Sequence, residues 1–517
     1  MPRAGSWDEE VDVLIVGGSL VGLTTAMLLG HHGVRSLSVE RHAGTAIHPR
    51  AGHFQLRTLE ILRQVGLEQR VREKSLEMYS PTGGINAVES LAGQELGVYV
   101  QELNEGVEGL SPTVRVFINQ DVLEPILRER ALELGAELRN RVEVAALEDD
   151  GEGVTATLRD LDSGGERRVR ARYVVAADGN RSPTRERLGV AMRGYGELSR
   201  SITVYFHADC AELIRDRNQG VIYVHNPQLR GFFRLDRAGG DGFLVINTVG
   251  EDVTRPEAID VQTGLTDERV RALLRAAIGA DIPMEVVDVA NWRAEANCAE
   301  RFRDGRVFLA GDAAHVVPPN GGYGGNTGVQ DAHNLAWKLA AVVRGDAGAA
   351  LLDTYEAERL PLGELTVRQA YTRYATRVVP ERGSDDVDPF VPDVQLEIGT
   401  VVRSAAVIAD GEDDGRLHMD PSETLGRPGT RAPHVSLPDG SSTLDLYGGG
   451  FVLLHGPDAQ PPVGLASQLI DGDALAAHGI TASGALLVRP DGIVAWRSAG
   501  AYAPEAVSGA LDTVLAR

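Results

Sequence analysis

The sequence predicts an α/β protein with a doubly wound parallel sheet, a second and largely antiparallel sheet, and a separate C-terminal unit. Residues 11–40 read as a strand, a glycine turn, an apolar helix and a second strand, a pattern that implies a parallel sheet. Residues 202–248 contain alternating strands joined by turns, which is typical of an antiparallel sheet. An acidic stretch with prolines at residues 381–392 then precedes a further set of strands.

Length and charge limit the possible partners. A chain of 517 residues is too long for one ordinary domain and suggests two to four units, each with its own core. The formal net charge of -23 would repel phosphate backbones and anionic lipids. We therefore expect a small-molecule partner, and neither a nucleic acid nor a membrane.

The two cysteines argue against disulfide, zinc and dithiol chemistry. Cys210 and Cys298 are far apart and form no CxxC pair or metal-ligand cluster, so we expect no metal and a reducing, cytoplasmic location. The apolar stretch at residues 11–29 is not expected to anchor the chain in a membrane, because glycines interrupt it and the residues before it are acidic.

The glycine turn at residues 17–22, GGSLVG, predicts a dinucleotide site. It lies between a strand and a helix, and Glu40 ends the next strand. The helix N-terminus offers N–H groups to a pyrophosphate, and Glu40 can bind ribose hydroxyls. Ser19 stands where the fingerprint has its second glycine. The residues expected to bind the cofactor here are Gly17, Ser19, Leu20, Val21, Gly22, Glu40 and Arg41.

Two later strands end in an acid–glycine corner. They are residues 174–182, VVAADGNRS, and residues 307–315, VFLAGDAAH. In this order, and after the N-terminal fingerprint, they resemble the three conserved motifs of the p-hydroxybenzoate hydroxylase type of flavoprotein monooxygenase. The resemblance covers residues 11–345 and implies that the dinucleotide is FAD.

The resemblance also implies roles for individual residues at the FAD site. Glu40 would hold the adenosine ribose, Asp312 the ribityl chain, and Asp178 would lie near the pyrophosphate. Arg50 resembles the family arginine that reaches FAD. Gln120 resembles the family glutamine beside the flavin chain, and both side chains suit an anionic diphosphate.

A glycine-rich stretch at residues 318–328 is expected to face the flavin ring from a loop. A long helix should follow it, from about Gly328 to Arg344, so that free N–H groups of the loop meet developing negative charge. In the family this segment runs along the isoalloxazine. That places Gly325 and Asn326 at the pyrimidine edge and the Pro319 carbonyl near the point where oxygen adds.

The expected activity is the hydroxylation of a phenolic ring. The chain has one dinucleotide fingerprint, so NADPH or NADH should bind transiently as a co-substrate. The resemblance implies that hydride reduces FAD, that O2 forms a flavin peroxide, and that one oxygen atom passes to the ring. The cofactor supplies this chemistry, while the protein orients the substrate and excludes water.

Within this family the C-terminal unit is similar to that of the aromatic polyketide hydroxylases, which act on tetracenomycin, anthracycline and angucycline skeletons. This implies a polycyclic phenolic substrate and a thioredoxin-like C-terminal domain, here without CxxC and thus with a structural or lid role. The expected domains are residues 1–75, 105–185 and 285–380 for the FAD-binding domain, residues 76–104 and 186–284 for the substrate domain, residues 381–400 for a linker, and residues 401–517 for the C-terminal domain.

The substrate is expected to contact the antiparallel sheet. Related anthracycline hydroxylases are similar in using a tyrosine and an arginine to activate the phenol. Tyr223 lies in a predicted strand and Arg373 on a helix that could fold back over the pocket, so the pair could relay the phenol proton. The polar and aromatic positions expected on this sheet are Tyr223, His225, Phe232, Phe233 and Arg234.

Two other functions stay open from the sequence alone. A flavin halogenase has a similar fold, but its paired-tryptophan motif is not seen among the four tryptophans of the chain. A non-catalytic flavoprotein that binds an aromatic ligand is the other, and NADPH consumption that rises with ligand would separate an enzyme from it. The sequence does not fix the oligomeric state.

Overall fold

The computed structural model describes residues 7–48, 50–214, 220–248, 261–379 and 387–517. The strands are β1 (Glu9–Val16), β2 (Ser36–Glu40), β3 (His53–Phe54), β4 (Ile85–Val88), β5 (Glu95–Val100), β6 (Val116–Phe117), β7 (Glu137–Asn140), β8 (Val142–Asp149), β9 (Val154–Asp160), β10 (Glu166–Ala176), β11 (Met192–Ala208), β12 (Val221–Asn226), β13 (Leu229–Leu235), β14 (Asp241–Asn247), β15 (Met284–Ala299), β16 (Arg303–Asp304), β17 (Val307–Leu309), β18 (His315–Val316), β19 (Val452–His455), β20 (Ser467–Leu469), β21 (Ala485–Val488) and β22 (Val494–Ser498). The helices are α1 (Leu20–His31), α2 (Leu56–Gln64), α3 (Glu68–Met78), α4 (Gln120–Glu133), α5 (Pro183–Arg187), α6 (Ala211–Ile214), α7 (Asp267–Ile278), α8 (Tyr323–Arg344), α9 (Asp353–Arg377), α10 (Asp393–Ile398), α11 (Asp473–Ala477) and α12 (Pro504–Val514).

The first sheet is the predicted doubly wound parallel sheet. Its strand order is β16-β17-β10-β1-β2-β7; β9 also pairs with β10, and β8 pairs with β9. Strands β17, β10, β1, β2 and β7 run parallel. Val13 and Ile15 of β1 join the core formed with α1, α4 and α8, while Leu14 and Val16 join the core on the opposite side. Because parallel strands end at one edge, the segments after β1, β10 and β17 meet there.

The second sheet has the order β18-β15-β11-β14-β13-β12-β4-β5 and is antiparallel except for the β12–β4 pair. One face packs on α7 in an aliphatic core. The other face carries a separate cluster that includes Tyr205, Phe243 and Val245. Residues 285–299, which we expected in the FAD-binding domain, belong to β15 and pair with β11 along this sheet.

The glycine-rich stretch differs from the prediction of a loop. Helix α8 begins at Tyr323, so Gly325 and Asn326 lie in its first turn instead of before it. The glycines allow close packing between helices: a Cβ at Gly328 would lie 2.5 Å from Val21 Cγ2, and one at Gly325 would lie 2.9 Å from Leu20 Cδ2. The cost of glycine within a helix is thus offset by contact between α8 and α1.

The C-terminal unit contains a four-stranded sheet in the order β20-β19-β21-β22. Strand β19 is parallel to β20 and antiparallel to β21, which is antiparallel to β22. This mixed order is that of the expected thioredoxin-like domain. Residues 381–386 of the predicted linker lie outside the described residues, and the rest of that linker includes the short helix α10.

Buried ion pairs join this unit to the rest of the protein. Glu60 of α2 accepts hydrogen bonds from Arg431 at 2.9 Å and from Arg57 at 2.8 Å. Burial alone would raise the pKa of Glu60, but the two guanidinium groups outweigh it and lower this pKa to about 2. The ionised form of Glu60 therefore stabilises the contact between the two parts of the chain.

Glu60→Gln should destabilise the protein in a pH-dependent way. At pH 7 the change leaves two buried arginines without their carboxylate, and we expect a loss of about 3–5 kcal/mol. The folded-state pKa of Glu60 is depressed, so its contribution is present above about pH 4.5 and is lost as the pH falls towards 2. Urea unfolding followed by circular dichroism at several pH values should show wild type and variant converging as the pH falls.

The exposed Glu73 of α3 offers a matched control. Glu73→Gln should leave the urea midpoint close to that of the wild type at every pH. A constant difference between Glu60→Gln and wild type from pH 7 to pH 3 would contradict the assignment of the acid dependence to Glu60.

Candidate active site

The glycine turn after β1 has the geometry of the predicted nucleotide fingerprint. Gly17 has a φ of +110°, and a Cβ on it would lie 2.2 Å from the carbonyl oxygen of Ala177. A Cβ at Gly22 would lie 1.9 Å from the carbonyl oxygen of Gly17. Side chains at these two positions would collide with backbone, so the turn that presents the N-terminus of α1 requires glycine.

Glu124 of α4 binds the N-terminus of α1, and the sequence reasoning missed it. Its carboxylate accepts hydrogen bonds from the Ser19 hydroxyl at 2.5 Å, from the Leu20 N–H at 2.9 Å and from the Ala46 N–H at 2.6 Å. Ser19, which replaces a glycine of the fingerprint, thus anchors this acid. The loop after β2 is held against the same helix end.

Glu40 lies at the expected end of β2. It accepts hydrogen bonds from the Gly18 and His42 N–H groups, each at 2.8 Å. Arg41 beside it is exposed. Glu40 borders a cleft that is also lined by Gly18, Leu23, Ser38, Gly44, Thr45, Arg128, Leu138 and Asn140.

Gln120 connects the loop that contains Arg50 to α4. The Ala51 N–H donates to Gln120 Oε1 at 3.1 Å, and Gln120 Nε2 donates to the Ser19 hydroxyl oxygen at 3.0 Å. Arg50 itself is exposed. Gln120, Glu124 and Arg128 are spaced four residues apart on α4, so helical spacing from Gln120 could have identified the other two.

The two acid–glycine corners lie side by side. Asp178 accepts hydrogen bonds from the Ser182 hydroxyl at 2.5 Å and from the Thr184 N–H at 3.0 Å. Asp312 is exposed to solvent, and the protein around it raises its pKa by desolvation, although His315 and Arg50 oppose this. Asp312 is the more available acceptor of the two.

Asp331 of α8 binds the segment that contains Asp312. It was not predicted from the sequence either. It is fully buried and accepts hydrogen bonds from the Gly311 N–H at 3.0 Å and from His315 Nε2 at 2.7 Å. The Arg359 guanidinium donates to its other oxygen at 2.8 Å. Although burial opposes ionisation, His315 and Arg359 lower the pKa of Asp331. The corner is thereby fixed to α8.

The side chain of Asn326 is committed to protein groups. Its oxygen accepts hydrogen bonds from the Gln55 N–H and the Thr58 hydroxyl, and its nitrogen donates to the carbonyls of His53 and Gly322. The predicted contact of Asn326 with the flavin therefore depends on its backbone. A Cβ at Gly325 would approach Ala51 Cβ to 3.3 Å. The exposed Pro319 carbonyl accepts the Gly322 N–H at 3.1 Å.

This set of groups fits FAD. The turn at Gly17 and Gly22 leaves no room for a Cβ and exposes a helix N-terminus to a diphosphate. Glu40 at the end of β2 and Asp312 just after β17 place carboxylate acceptors at one edge of the first sheet. The N-terminus of α8 faces the same edge of the sheet and suits a group that gains negative charge.

The second sheet presents a row of aromatic rings on its inner face, which we call the aromatic wall and define as Tyr223, Phe232, Phe243 and Tyr205. Successive ring centroids are 5.7, 6.4 and 6.1 Å apart. Of the positions expected here, Phe233 lies in the aliphatic core on the opposite face. His225 is half-buried, with its ring 6.2 Å from that of Tyr223.

The expected pairing of Tyr223 with Arg373 is wrong. Arg377, one helical turn further along α9, is the arginine that lies next to the Tyr223 hydroxyl. Burial would lower the pKa of Arg377, but Tyr223 and Asp393 raise it. The Asn320 amide donates to the same Tyr223 oxygen at 3.2 Å. The tyrosine–arginine pair therefore exists, with Arg377 as its arginine.

Arg373 instead makes contacts that hold neighbouring helices together. It is fully buried and donates to Asp393 at 2.6 Å and to the Val391 carbonyl at 2.7 Å. The Tyr323 hydroxyl donates to the same oxygen of Asp393. Arg373 thus joins α9 to the start of α8 through α10, and the Asp393 carboxylate satisfies its charge.

Two family models match the chain. A model described as an FAD binding domain matches residues 10–370, and one described as the C-terminal part of aromatic-ring hydroxylases matches residues 426–517. The chain belongs to the FAD-dependent aromatic-ring hydroxylases. This enzyme is therefore an FAD-dependent aromatic monooxygenase, and NAD(P)H is the co-substrate typical of its family.

Similar proteins cover nearly the whole hydroxylase. A 4-methyl-5-nitrocatechol 5-monooxygenase from Burkholderia sp is 53% identical over 99% of this chain and 98% of its own length. A tetracenomycin A2 monooxygenase-dioxygenase from Streptomyces glaucescens is 40% identical over 98% of this chain and 97% of its own length. A crystal structure of aklavinone-11 hydroxylase with FAD and aklavinone has a TM-score of 0.91 and 38% identity, covering 99% of this chain and 100% of that one.

The hydroxylase acts on a small aromatic molecule with O2, as its relatives do. Both cysteines are buried free thiols, and burial raises the pKa of Cys298 to about 12 and that of Cys210 to about 11. Neither is a thiolate near neutral pH. Within the described ranges, no helix has the length and apolar character needed to cross a membrane.

Asp312→Ala should weaken FAD retention by the hydroxylase. The change removes the carboxylate that is expected to accept from the ribityl chain, and loss of one such hydrogen bond to the bound cofactor costs about 1–3 kcal/mol. We expect a roughly 10- to 100-fold rise in the dissociation constant of FAD, measured by fluorescence of flavin released on dilution. Asp471→Ala, at an exposed position of the C-terminal unit, is the control. Equal FAD affinity in the two variants would remove Asp312 from the site.

Proposed function

We propose that the hydroxylase holds a phenolic substrate against the aromatic wall and that Tyr223 and Arg377 activate the phenol. The observation that carries this proposal is the position of the Arg377 guanidinium next to the Tyr223 hydroxyl and the Tyr99 ring at the edge of the wall. Oxygen transfer to a ring is faster when its hydroxyl is partly or fully deprotonated. A tyrosine bonded to a cation can take part in that proton transfer.

The surroundings of the pair restrict how it works. The Tyr223 side chain is buried, and Asn320 beside Pro319 donates to its oxygen. The Arg377 guanidinium also lies 5.3 Å from the ring centre of the exposed Tyr99. We infer that the phenol enters past Tyr99, meets Tyr223 and Arg377, and releases its proton towards them.

FAD, when bound, supplies the oxygen-transfer chemistry, and the chain supplies its cradle. In this proposal Glu40 binds the adenosine ribose, the N-terminus of α1 the diphosphate, and Asp312 the ribityl chain. The other cofactor-binding residues that we propose are Gly17, Ser19, Leu20, Val21, Gly22, Arg41, Arg50, Gln120, Asp178, Gly325 and Asn326. Ser19 and Asn326 act here through their backbones, since their side chains bind protein groups. Two buried free thiols support a cytoplasmic location.

For the substrate we propose a polycyclic phenol. The aromatic wall extends over four rings, so it can contact several fused rings at once. The similarity to the aklavinone hydroxylase structure over the whole chain supports this class. A single-ring nitrocatechol is the second candidate, favoured by the 53% identity with the Burkholderia enzyme.

Steady-state assays can separate the two substrate classes. Anthracyclinone and tetracyclic phenols should raise NAD(P)H oxidation and give a product heavier by one oxygen atom. Single-ring catechols and nitrocatechols should give lower kcat/KM. Mass spectrometry with 18O2 identifies hydroxylation, and release of nitrite identifies reaction at a carbon that carries a nitro group. Higher kcat/KM for the nitrocatechol would replace the polycyclic class by the second candidate.

Tyr223→Phe should reduce hydroxylation without loss of FAD. The change preserves the ring and removes only the hydroxyl, so we expect a roughly 100-fold fall in the hydroxylation rate. Product formed per NAD(P)H should also fall. Tyr502→Phe in the C-terminal unit is the control. Normal coupling in Tyr223→Phe across the pH range of activity would exclude the phenol-activating role.

Arg377→Met and Arg373→Met should fail in different ways. Arg377→Met removes the partner of Tyr223 and should lower the hydroxylation rate at retained FAD content. Arg373→Met leaves the Asp393 carboxylate without its ion pair, so we expect a loss of stability, which is moderated because the Asp393 side chain is 36% exposed to water. Urea unfolding and single-turnover kinetics on both variants distinguish them. The opposite pattern would restore Arg373 as the activating residue.

A further inference from the structure

Strands β3 (His53–Phe54) and β6 (Val116–Phe117) form a two-stranded ribbon beside the cofactor site, which we call the β3–β6 ribbon. At one end of this ribbon the Gln120 N–H donates to the Ala51 carbonyl at 2.9 Å. The Ala51 N–H in turn donates to the Gln120 side chain at 3.1 Å. Gln120 is a proposed FAD ligand, so the position of the ribbon decides where this part of the cofactor site lies.

Glu397 of α10 binds the other end of the β3–β6 ribbon, away from Ala51. Its carboxylate oxygens accept from Arg115 Nε at 2.9 and 3.0 Å, and one of them accepts from the Leu56 N–H at 3.3 Å. Arg115 directly precedes β6, and Leu56 lies two residues after β3. One carboxylate therefore ties the outer ends of both strands to α10.

Glu397 connects two parts of the molecule that are held in place by other contacts. On the side of the ribbon, Arg115 Nη1 donates to the Leu103 carbonyl at 2.8 Å. On the other side, α10 is attached to the C-terminal unit, because His418 Nδ1 lies 2.8 Å from Gln395 Oε1. The ribbon beside the cofactor site is thus joined to the C-terminal unit through a single side chain of α10.

The charge of Glu397 changes near neutral pH. The Glu397 and Arg115 side chains are only 1% and 9% exposed. Burial raises the pKa of Glu397 to about 7, although Arg115 opposes the shift, and Asp393 contributes to it. The neighbouring groups titrate elsewhere: burial lowers the pKa of His53 to about 3, and Arg373 lowers the pKa of Asp393 although burial opposes this.

We propose that Glu397 is a positioning residue for FAD, which acts by fixing the β3–β6 ribbon through Arg115. This rests on the proposed placement of FAD beside Gln120. The ionised carboxylate forms charge-assisted hydrogen bonds with Arg115, whereas the protonated one loses the ion pair. The ribbon is therefore held more firmly above pH 7 than below it. FAD binds more tightly to the firmly held state, and bound FAD in turn favours the ionised form of Glu397.

The test measures FAD binding alone, without aromatic substrate or NAD(P)H. Glu397→Gln keeps the shape of the side chain and removes its ability to ionise. Glu423→Gln is the matched control, because Glu423 is an exposed acid in the segment that packs on α10. The readout is the FAD dissociation constant from pH 6 to pH 8.5, measured by fluorescence of the flavin that is released when the holoprotein is diluted.

At pH 8.5 the FAD dissociation constant of Glu397→Gln should be roughly five- to tenfold above that of the wild type. At pH 6 the two should be equal, because the wild-type carboxylate is then protonated. Glu423→Gln should match the wild type at every pH. If Glu397→Gln does not retain FAD, Arg115→Lys replaces it: a lysine stabilises the carboxylate less than the arginine does, so the transition should move to higher pH.

Equal FAD affinity of Glu397→Gln and wild type at pH 8.5 would overturn the proposal, as would a transition unmoved in Arg115→Lys. A loss of affinity of the same size at pH 6 and pH 8.5 would also overturn it, because Glu397 would then act through its shape and not through its charge. None of these measurements involves hydroxylation, so they are independent of Tyr223 and Arg377. The placement of FAD is tested separately by Asp312→Ala.

Discussion

The carboxylate of Glu358 is the point at which α8 and α9 of the FAD-binding domain meet the C-terminal unit. It is fully buried in α9 and accepts hydrogen bonds from Arg489 of the C-terminal sheet at 2.7 and 2.9 Å. Lys338 of α8 donates to it at 2.9 Å, and Ser404 donates at 2.6 Å. Burial lowers the pKa of Lys338 to about 8, although Glu358 opposes this shift. Each charge depends on the others, because any one left alone would be buried without a partner.

Much of the cofactor site could be predicted because, in a parallel sheet, the segments that follow the strands all lie at the same edge. Each motif was a strand followed by a glycine and an acid, and the C-terminal ends of parallel strands must meet. Glu40 and Asp312 accordingly lie at the same edge of the first sheet. The alternation of apolar residues in β13 likewise predicted a two-faced sheet, although it did not say that Phe233 faces the aliphatic core.

The features that the sequence did not reveal depend on contacts between distant segments. Arg373 and Arg377 lie one turn apart on α9, so both satisfy the same helical pattern, and only the position of Asp393 decides which one reaches Tyr223. Glu124 was overlooked because an acid on a helix is usually exposed. The glycines near Gly328 suggested a loop, yet they allow two helices to approach, which depends on Val21 some 300 positions earlier.

The strand order of the first sheet also determines when the flavin site can exist during synthesis. Strand β10 lies between β1 and β17 in the sheet. The corner that contains Asp312 can therefore form only after more than 300 residues have left the ribosome. Lys338 of α8 shares the Glu358 carboxylate with Arg489. This buried group of charges is incomplete until Arg489, close to the end of the chain, has been synthesised. Long-range pairing of this kind is slow and comes late. The flavin site is therefore completed late in synthesis, and the buried face of α8 is covered only when the C-terminal unit docks.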